Sequence, residues 1–482
     1  MLEDILQERR KKLAKLKESG IDPYPATSDR TILAADAHKK FASLSRAKKK
    51  VSLAGRITAF RDQGNILFLD LTDETGRIQI VIKKDNLAEF KLWKSTLDTG
   101  DFVSVFGPLF KTQKGEESVE VFKLSLLTKS LRPIPSEHYG IEDPDVRLRK
   151  RYLEILTSHG TMELFRKKTV FWETIRTYLK KEGFLEVETP VLENIPGGAE
   201  AEPFKTRHNA LGTDLYLRIS LELPLKKLLV GGYEKVFEIG RIFRNEGVDR
   251  EHLQDYTQLE FYSAYHDYND LMVLIEKMYK AVIQKTCNSL VIKHAGKKID
   301  WGKKWKKVDY AELFKKENKI DPTTATVEEL KKRAVELKLQ LEKNHGKGRL
   351  IDLIFKHTAR PKLIEPCFLI NPPVEIEPLA KRSRKNPACV ERFQVMAAGT
   401  ELGKGFSELN DPQDQRARFE EQMKLREAGD KEAQFLDEDF LEALEYGMPP
   451  AAGFGLSERL FAVLMDKPVR ETVIFPLMRP RK

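Results

Sequence analysis

Three strand-like runs of this sequence carry charged or polar side chains on one face. Successive side chains of a strand point to opposite faces, so residues of equal parity share a face. The shared sets are Glu238, Gly240, Ile242 and Arg244 in the first run, Gln258, Glu260 and Tyr262 in the second, and Lys404, Phe406 and Glu408 in the third. Acids and cations on neighbouring strands would suit the floor of an open sheet that binds a charged ligand. An exposed antiparallel sheet is also polar on one face, so parity alone leaves both interpretations open.

The order of elements around these runs predicts an α+β domain. An amphipathic helix spans 163–181, and Gly183 stands where its C-terminal cap belongs. Strand patterns follow, and residues 266–345 form a mostly helical, lysine-rich segment. The sequence has no repeating βαβ unit and no GxGxxG or GxxxxGK[ST] phosphate loop. We therefore expect one domain at 151–482, built on an antiparallel sheet flanked by helices.

Residues 51–130 contain five short β-type runs separated by Gly, Asp and Asn turns. Five strands in about 80 residues are typical of a small closed β-barrel of the OB-fold type. A basic helical extension, 1–50, precedes this barrel, and a linker, 131–150, follows it. The cluster QERRKKLAKLK in the extension could contact phosphates or simply keep the surface solvated.

Composition places the chain among globular proteins. Its 482 residues are 41% hydrophobic and carry a net charge of +10, a length that suits about three domains. No window approaches the ~18 apolar residues of a membrane span, and the N-terminus has no apolar signal-peptide core. We therefore expect a cytoplasmic location with no membrane association. Cys287, Cys367 and Cys389 are too few, and unsuitably spaced, for a disulfide framework or a zinc site.

Several ordered segments together resemble the class II aminoacyl-tRNA synthetases. GFLEVETPVL (183–192) resembles the first signature motif of that class, FRNEGVDREHLQDYTQLEF (243–261) the second and GFGLSERL (453–460) the third. PGGAEAEPF, GRIFRNEG, GFSELNDPQDQRARFEEQ, GIDPYP and LLTKSLRPIP are similar to segments of the lysine enzymes in particular. Ordered motifs along nearly the whole chain are far more specific than a single pattern. The resemblance implies an enzyme that activates L-lysine with ATP and transfers it to tRNA(Lys), releasing pyrophosphate and AMP.

The resemblance also implies an ATP site. In such enzymes the amino-acid carboxylate must approach the α-phosphate of ATP, and both are anions. Catalysis is therefore mostly positioning of the substrates and neutralisation of their charge. Arg244 would lie between the amino-acid carboxylate and the α-phosphate, where a rigid guanidinium can contact both. The implied ATP-binding residues are Arg244, Glu246, His252, Tyr256 and Arg459, the two arginines being catalytic, Tyr256 stacking on adenine and Glu246 accepting from its amino group.

A pocket for lysine is implied as well. A buried ammonium needs acceptors, because an unpaired one costs several kcal/mol or more. The implied lysine-binding residues are Gly198, Glu222, Glu260, Tyr262, Lys404, Phe406 and Glu408. Glu408 would pair with the ε-ammonium of the substrate, whereas Gly198 and Glu222 would receive its α-ammonium.

Three positions depart from the pattern of the lysine enzymes. Lys404 stands where those enzymes usually have asparagine, and would pair with the substrate carboxylate or crowd the pocket. The Mg²⁺ ligands of the family correspond to Glu401 and Gln394, with Glu408 a further candidate; glutamine is the weaker ligand. The third motif is one residue shorter before Arg459, which predicts a local rearrangement.

For the barrel, the resemblance implies anticodon binding. Phe68 would stack on the central anticodon base, Gln79 would bind a base edge and Arg56 would contact phosphate. Each of the three is also compatible with ordinary barrel packing. The first motif implies a homodimer, since it normally forms a two-fold interface.

Two other functions are compatible with the sequence. An aspartate or asparagine synthetase shares this architecture, but its substrate would need a basic pocket, which Glu260 and Glu408 oppose and Lys404 favours. A tRNA-binding or regulatory paralogue without aminoacylation activity would be consistent with Gln394 and with the shortened third motif.

Overall fold

The computed structural model describes residues 2–135, 142–247, 253–341 and 345–480. The chain divides into two units, residues 1–142 and residues 143–482. Within the described ranges, every helix is too short or too polar to span a bilayer.

The first unit is a β-barrel preceded by helices. Its elements are α1 (Leu2–Glu18), α2 (Ala34–Lys39), α3 (Phe41–Arg46), β1 (Lys50–Asp62), β2 (Ile66–Asp73), β3 (Gly76–Lys83), α4 (Phe90–Thr96), β4 (Phe102–Lys111), β5 (Glu117–Val121) and β6 (Lys123–Thr128). The strands follow the order β1-β2-β3-β5-β4-β6, and the pairing of β1 with β4 closes the barrel. Strands β5 and β6 are separated only by Phe122 and form the fifth run. The predicted five-stranded closed barrel is therefore confirmed.

Alternation along the strands builds the barrel core. Leu67, Leu69 and Leu71 of β2 point inward and are buried, as are Ile78, Ile80 and Ile82 of β3. The residues between them face outward, among them the predicted anticodon-binding residues Phe68 and Gln79. An apolar residue at every second position is what a packed barrel interior requires. On the outer face of β3, Gln79 and Val81 are buried as well.

Part of the charge on the basic helix α1 is used within its own unit. Arg9 is buried and donates to the backbone carbonyls of Thr99, at 3.0 Å, and Ser130, at 3.1 Å. Lys12 Nζ lies 2.6 Å from an oxygen of Asp98. These two cations therefore dock the helix on the barrel.

The second unit contains eleven helices and thirteen strands within the described residues. The helices are α5 (Pro144–Arg149), α6 (Arg151–Thr157), α7 (His159–Lys181), α8 (Glu222–Val230), α9 (Tyr268–Cys287), α10 (Tyr310–Asn318), α11 (Val327–Glu336), α12 (Lys347–Thr358), α13 (Pro412–Glu427), α14 (Glu438–Glu445) and α15 (Arg459–Leu464). The strands are β7 (Leu185–Glu186), β8 (Leu192–Glu193), β9 (Lys205–His208), β10 (Thr213–Leu217), β11 (Lys235–Phe243), β12 (Asp255–Ala264), β13 (Val291–His294), β14 (Lys297–Asp300), β15 (Lys306–Asp309), β16 (Cys367–Ile370), β17 (Arg392–Ala397), β18 (Thr400–Ser407) and β19 (Ala451–Ser457).

An eight-stranded sheet forms the centre of this unit, in the order β15-β16-β17-β18-β19-β12-β11-β7. The pairings from β16 through β11 are antiparallel, as predicted. Only the edge strands β15 and β7 run parallel to their neighbours, which makes the sheet mixed. A bulge in the β17–β18 pairing leaves Leu402 without an opposite residue.

Hydrophobic clusters cover both faces of the sheet. On one face, α7 and α9 pack against Phe237, Phe261 and Phe454; the predicted apolar stripe of α7 is confirmed, with Phe171, Ile175 and Leu179 fully buried. A cluster on the other face contains side chains of α8, α13 and α14, among them Leu225, Phe419 and Phe440. The expected open polar face is therefore partly roofed. As a result, the carboxylates of Glu222, Glu260 and Glu408 are buried rather than on the surface.

Candidate functional site

The polar residues predicted on separate strands lie in two rows across one face of the sheet. The first row is Gln394, Lys404, Gly455, Glu260 and Glu238, and the second is Arg392, Phe406, Gly453, Tyr262 and Val236. Glycines occupy the central β19 position of both rows. A Cβ at Gly453 would lie only 2.3 Å from the Tyr262 ring and 2.5 Å from Glu408 Oε1. The glycine therefore leaves space between the aromatic ring and the carboxylate.

Glu260 is held in place by donors of the chain itself. Its Oε1 accepts from the Ser220 hydroxyl at 2.6 Å and from the Leu221 N–H at 3.0 Å, and its Oε2 accepts from the Tyr262 hydroxyl at 2.9 Å. Hydrogen bonds to the charged form stabilise a buried carboxylate. These hydrogen bonds fix the position of the Glu260 carboxylate, which in turn orients the Tyr262 hydroxyl.

Glu408 follows strand β18 and is buried. Its Oε2 forms an ion pair with Lys226 Nζ at 2.5 Å, and neither carboxylate oxygen has a hydrogen bond of regular geometry among the described residues, which leaves Oε1 unpaired. This unpaired oxygen is the one that faces the space left at Gly453. A buried acceptor without a partner is costly, so the arrangement fits a donor supplied by a ligand.

Gly198 and Glu222 lie against each other, as the prediction of a shared role requires. Gly198 has φ +81°, and a Cβ there would lie 2.8 Å from the Cβ of Glu222. Burial raises the pKa of the Glu222 carboxyl to about 7, although the Lys226 ammonium opposes the shift. Burial likewise raises the pKa of Glu408 well above its ordinary value, again against Lys226. Both acids therefore gain stabilisation from a nearby cation.

Lys404 does not point a free ammonium into the pocket. Its Nζ lies 2.8 Å from Glu377 Oε2, and Arg392 Nε lies 3.5 Å from the same oxygen. Burial alone would raise the pKa of Glu377, but Lys404 and Arg392 outweigh it and leave that pKa lowered. The cation that replaces the usual asparagine is therefore matched by a buried acid, a partner that the sequence analysis did not identify.

Glu401 and Gln394 contact each other across the β17–β18 pair. The Gln394 amide donates to Glu401 Oε2 at 2.5 Å. In a regular strand, Glu401 and Lys404 would lie on opposite faces. The bulge at Leu402 adds one residue to β18, so Glu401 lies on the same face as Lys404 and reaches the site. Among the described residues, no three His, Cys, Asp or Glu side chains form a group that could hold a metal ion.

Four of the five predicted ATP residues line one pocket. Arg244, Glu246, Tyr256 and Arg459 surround a space of about 130 Å³ together with Leu253, Ser457, Glu458 and Val469. The Arg244 guanidinium lies 5.7 Å from the centre of the Tyr256 ring, and its Nε donates to the Ile219 carbonyl at 3.2 Å. His252 lies outside the described residues.

A buried acid fixes the start of α15, where Arg459 is the first residue. Glu458 is buried, accepts from the Thr257 N–H at 3.1 Å and lies 2.7 Å from Lys168 Nζ. Strand β19 pairs regularly with β12 as far as Ser457. The shortened third motif thus still delivers Arg459 to the pocket that contains Arg244.

On the barrel, Phe68 and Gln79 lie on one outer face. Phe68 is half-buried, beside Val81 of β3, whereas Gln79 is buried and accepts from the Ser118 hydroxyl at 3.0 Å. Between them lies Asp70, which pairs with Arg77 and Arg61. Phe68 can therefore offer a ring face to a ligand, whereas part of the Gln79 amide is already engaged.

Arg56 lies apart from these two residues. It pairs with Thr72 in the register, four positions from Phe68, which is ~13 Å along the strand. Its guanidinium lies 4.2 Å from the centre of the Phe102 ring and donates to the Gly100 carbonyl at 3.2 Å. The structure therefore brings Phe68 and Gln79 together but not Arg56.

Comparison with known proteins matches both units. Residues 143–479 match the family "tRNA synthetases class II (D, K and N)", and residues 51–134 match "OB-fold nucleic acid binding domain". A lysine–tRNA ligase of Moorella thermoacetica is 45% identical over 99% of this chain and 98% of the relative. Those of Thermotoga maritima, at 41%, and of Roseiflexus sp. strain RS-1, at 44%, also align over the whole chain and cover 97% and 99% of the relatives.

The chain belongs to the lysine–tRNA ligase family of class II tRNA synthetases. This confirms the resemblance drawn from the signature motifs. Membership in a family defined by D, K and N synthetases also explains why aspartate and asparagine enzymes were the nearest alternatives. The full-length matches to lysine enzymes decide between them.

Sequence reasoning missed two charged residues of this class II site. Lys226, which pairs with Glu408, stands four residues after Glu222 in α8, and that spacing was an available signal. Glu377 lies in an irregular segment, where no periodicity links it to Lys404. Its partner was therefore visible only in the folded chain.

Proposed function

We propose that this chain is a lysine–tRNA ligase that forms lysyl-adenylate from L-lysine and ATP and then lysylates the 3′ end of tRNA(Lys). The observation that carries the proposal is the buried acidic pocket with an unpaired Glu408 oxygen beside Gly453. Three glutamates, Glu222, Glu260 and Glu408, are accompanied there by one lysine, Lys226. An excess of acids suits a substrate with two ammonium groups.

In the proposed complex, the ε-ammonium of lysine donates to Glu408 Oε1 and to the Tyr262 hydroxyl, with Phe406 along the alkyl chain. The α-ammonium lies between Glu222 and the backbone of Gly198. An aspartate side chain would need a free cation instead. Lys226 and Lys404 are already paired with Glu222, Glu408 and Glu377, so this pocket disfavours an acidic substrate.

For activation, a carboxylate oxygen of lysine attacks the α-phosphorus, and the bond to pyrophosphate breaks. Arg244 neutralises both approaching anions, and Arg459 with His252 binds the outer phosphates. Tyr256 stacks on adenine and Glu246 accepts from its amino group. A ribose hydroxyl of tRNA then attacks the acyl carbon, the bond between that carbon and the phosphate oxygen breaks, and the hydroxyl proton passes to the phosphate of the departing AMP. Pre-oriented cations lower such barriers because the charge is already in place.

Glu401 is the residue that would hold Mg²⁺. A magnesium ion is commonly bound by one or two carboxylates plus substrate phosphates. Glu401 supplies one carboxylate, and the side-chain carbonyl of Gln394 is a neutral second donor; Glu408 is already engaged by Lys226. When bound, the ion would supply positive charge to the phosphates of ATP.

We place the anticodon of tRNA on the outer barrel face that carries Phe68. The parent chain should charge tRNA with lysine, and Phe68→Ala should weaken tRNA binding by ~1–3 kcal/mol because one stacked base is lost. ATP–pyrophosphate exchange should be unchanged, since it needs no tRNA. Equal losses in the charging and exchange assays would contradict this role, and a parent chain that does not charge tRNA would contradict the proposed function.

We further propose a cytoplasmic homodimer. Four large apolar side chains in and just after the first motif are exposed, which is typical of a subunit interface: Leu185, Val191, Leu192 and Ile195. Sedimentation equilibrium should give twice the chain mass, and an active monomer would contradict the dimer.

A further inference from the structure

Lys226 is a fully buried lysine beneath the proposed substrate pocket. It lies on the inner face of α8, and its Nζ is 2.5 Å from Glu222 Oε1 and 2.5 Å from Glu408 Oε2. The rings of Phe406, Tyr262 and Phe440 lie 5.3 to 6.0 Å from the ammonium. One ammonium therefore bridges the two carboxylates to which the two ends of the substrate are assigned.

The surroundings of this ammonium are mostly acidic. The charged and titratable groups near it are Glu222 of α8, Glu408 after β18, Glu260 and Tyr262 of β12, Lys404 of β18, and Glu377 after the short helical turn at Val374–Ile376. Burial lowers the pKa of a lysine, but Glu222 and Glu408 outweigh it and raise the pKa of Lys226. The ammonium is therefore charged throughout the working pH range.

A bridging cation has two consequences for a pair of buried acids. It fixes the distance between them, because both oxygens are drawn to one point. It also favours their ionised form, since neighbouring carboxylates in a dry pocket otherwise take up a proton. Glu222 and Glu408 must be ionised to pair with ammonium groups of a substrate, so both consequences bear on substrate binding.

We propose that Lys226 is a positioning residue for the amino-acid substrate, which favours the ionised forms of Glu222 and Glu408 and holds the two carboxylates in place to receive the two ammonium groups of lysine. The inference rests on the proposed lysine activation. Lys226 is fully buried and contacts Glu408 through Oε2, whereas Glu408 Oε1 lies beside Gly453. The residue thus acts through the two acids rather than on the substrate itself.

Lys226→Met tests this role because methionine has similar length and keeps the apolar packing while removing the charge. The KM for lysine in ATP–pyrophosphate exchange should rise roughly 100-fold, as expected when one partner of a buried ion pair is removed. The KM for ATP should stay near its parental value. Without the cation the carboxyl pKa values rise, so lysine binding should continue to improve with pH above the point at which the parent levels off.

Lys227→Met is the matched control. Lys227 is the next residue of α8 and pairs at the surface with Asp439, so its removal should leave both the KM for lysine and its pH profile unchanged. Lys226→Arg keeps the charge but alters its position. It should raise the KM for lysine while retaining the parental pH profile.

The outcomes separate this inference from the proposed function. If the parent chain does not activate lysine, both the proposed function and the positioning role of Lys226 are contradicted. An active parent whose Lys226→Met variant keeps the parental pH profile would overturn the positioning role alone. Should Lys226→Met fail to fold by circular dichroism, Lys226→Arg decides: a shifted pH profile in that variant would also overturn the role, since the charge would then not be what matters.

Discussion

Glu408→Gln is expected to cost ~2–5 kcal/mol in lysine recognition, seen as a higher KM for lysine in ATP–pyrophosphate exchange. Glutamine keeps the size and hydrogen-bonding groups of glutamate, so the change isolates its charge. In the folded chain Oε1 is the acceptor without a partner and Oε2 contacts Lys226. Removing the charge weakens the attraction for the substrate and leaves Lys226 with Glu222 as its remaining close acid.

The same variant should alter selectivity in a defined direction. Norleucine lacks the ε-ammonium, so it should compete relatively better against lysine in Glu408→Gln than in the parent. The KM for ATP should change little, since Arg244, Tyr256 and Arg459 lie in a separate pocket. Glu421→Gln, an exposed change on α13, is the control. If Glu408→Gln activates lysine as well as the parent does, the pocket is wrongly assigned.

Arg244→Ala is expected to lower the rate of lysyl-adenylate formation by ~100- to 1000-fold, the usual effect of removing one pre-oriented donor at a developing charge. Arg244 is the cation proposed to contact both the carboxylate and the α-phosphate. Its guanidinium is held by the Ile219 carbonyl and lies near the Tyr256 ring. A lysine side chain at position 244 would carry one ammonium in place of the planar guanidinium with its several N–H donors. Arg244→Lys should therefore restore only part of the rate.

Pre-steady-state measurement of adenylate formation distinguishes this loss from weaker ATP binding. Arg207→Ala removes a largely exposed arginine of β9, which pairs with Asp214, and should leave the rate unchanged. An Arg244→Ala variant that forms adenylate at the parental rate would show that the cation has only a structural role.

The parity argument was sufficient to group most of the site. Glu260, Tyr262, Lys404 and Phe406 lie on one face, as alternation in a strand requires, because β12 and β18 both pair in regular register with β19 between them. The same argument would assign Glu401 to the wrong face, since the bulge at Leu402 shifts the alternation of side chains along β18 by one residue. A bulge has no fixed sequence signature, so its effect appears only in the paired strands.

Charge partners that are distant in the sequence were the second feature that the sequence could not predict. The resemblance implied that Lys404, which replaces the usual asparagine, would meet the substrate carboxylate or crowd the pocket. In the folded chain Glu377, 27 residues away, neutralises it. Similarly, the sequence pattern predicted a polar open sheet, but helices α8, α13 and α14 contribute a hydrophobic cluster on that face. Both features depend on tertiary packing that local periodicity does not encode.

In the barrel, too, the sequence predicted the strands but not the contacts between side chains of distant strands. The β-type runs and the turns between them predicted the strands, and the resemblance implied a stacking role for Phe68. In the folded chain Phe68 lies on the outer face because the inward residues of β2 are apolar. It gave no sign that Gln79 would be hydrogen-bonded to Ser118 or that Arg56 would stack on Phe102. Those contacts join strands that are distant in the sequence. The anticodon role of Phe68 therefore has more structural support than the roles of the other two residues.

The central claim is that the acidic pocket selects lysine, and ATP–pyrophosphate exchange with each of the twenty amino acids tests it most directly. The parent chain should catalyse exchange with lysine, while aspartate and asparagine give no more than background, since the cations near Glu408 and Glu260 are already paired. Exchange driven by aspartate or asparagine, or by none of the twenty, would contradict the claim.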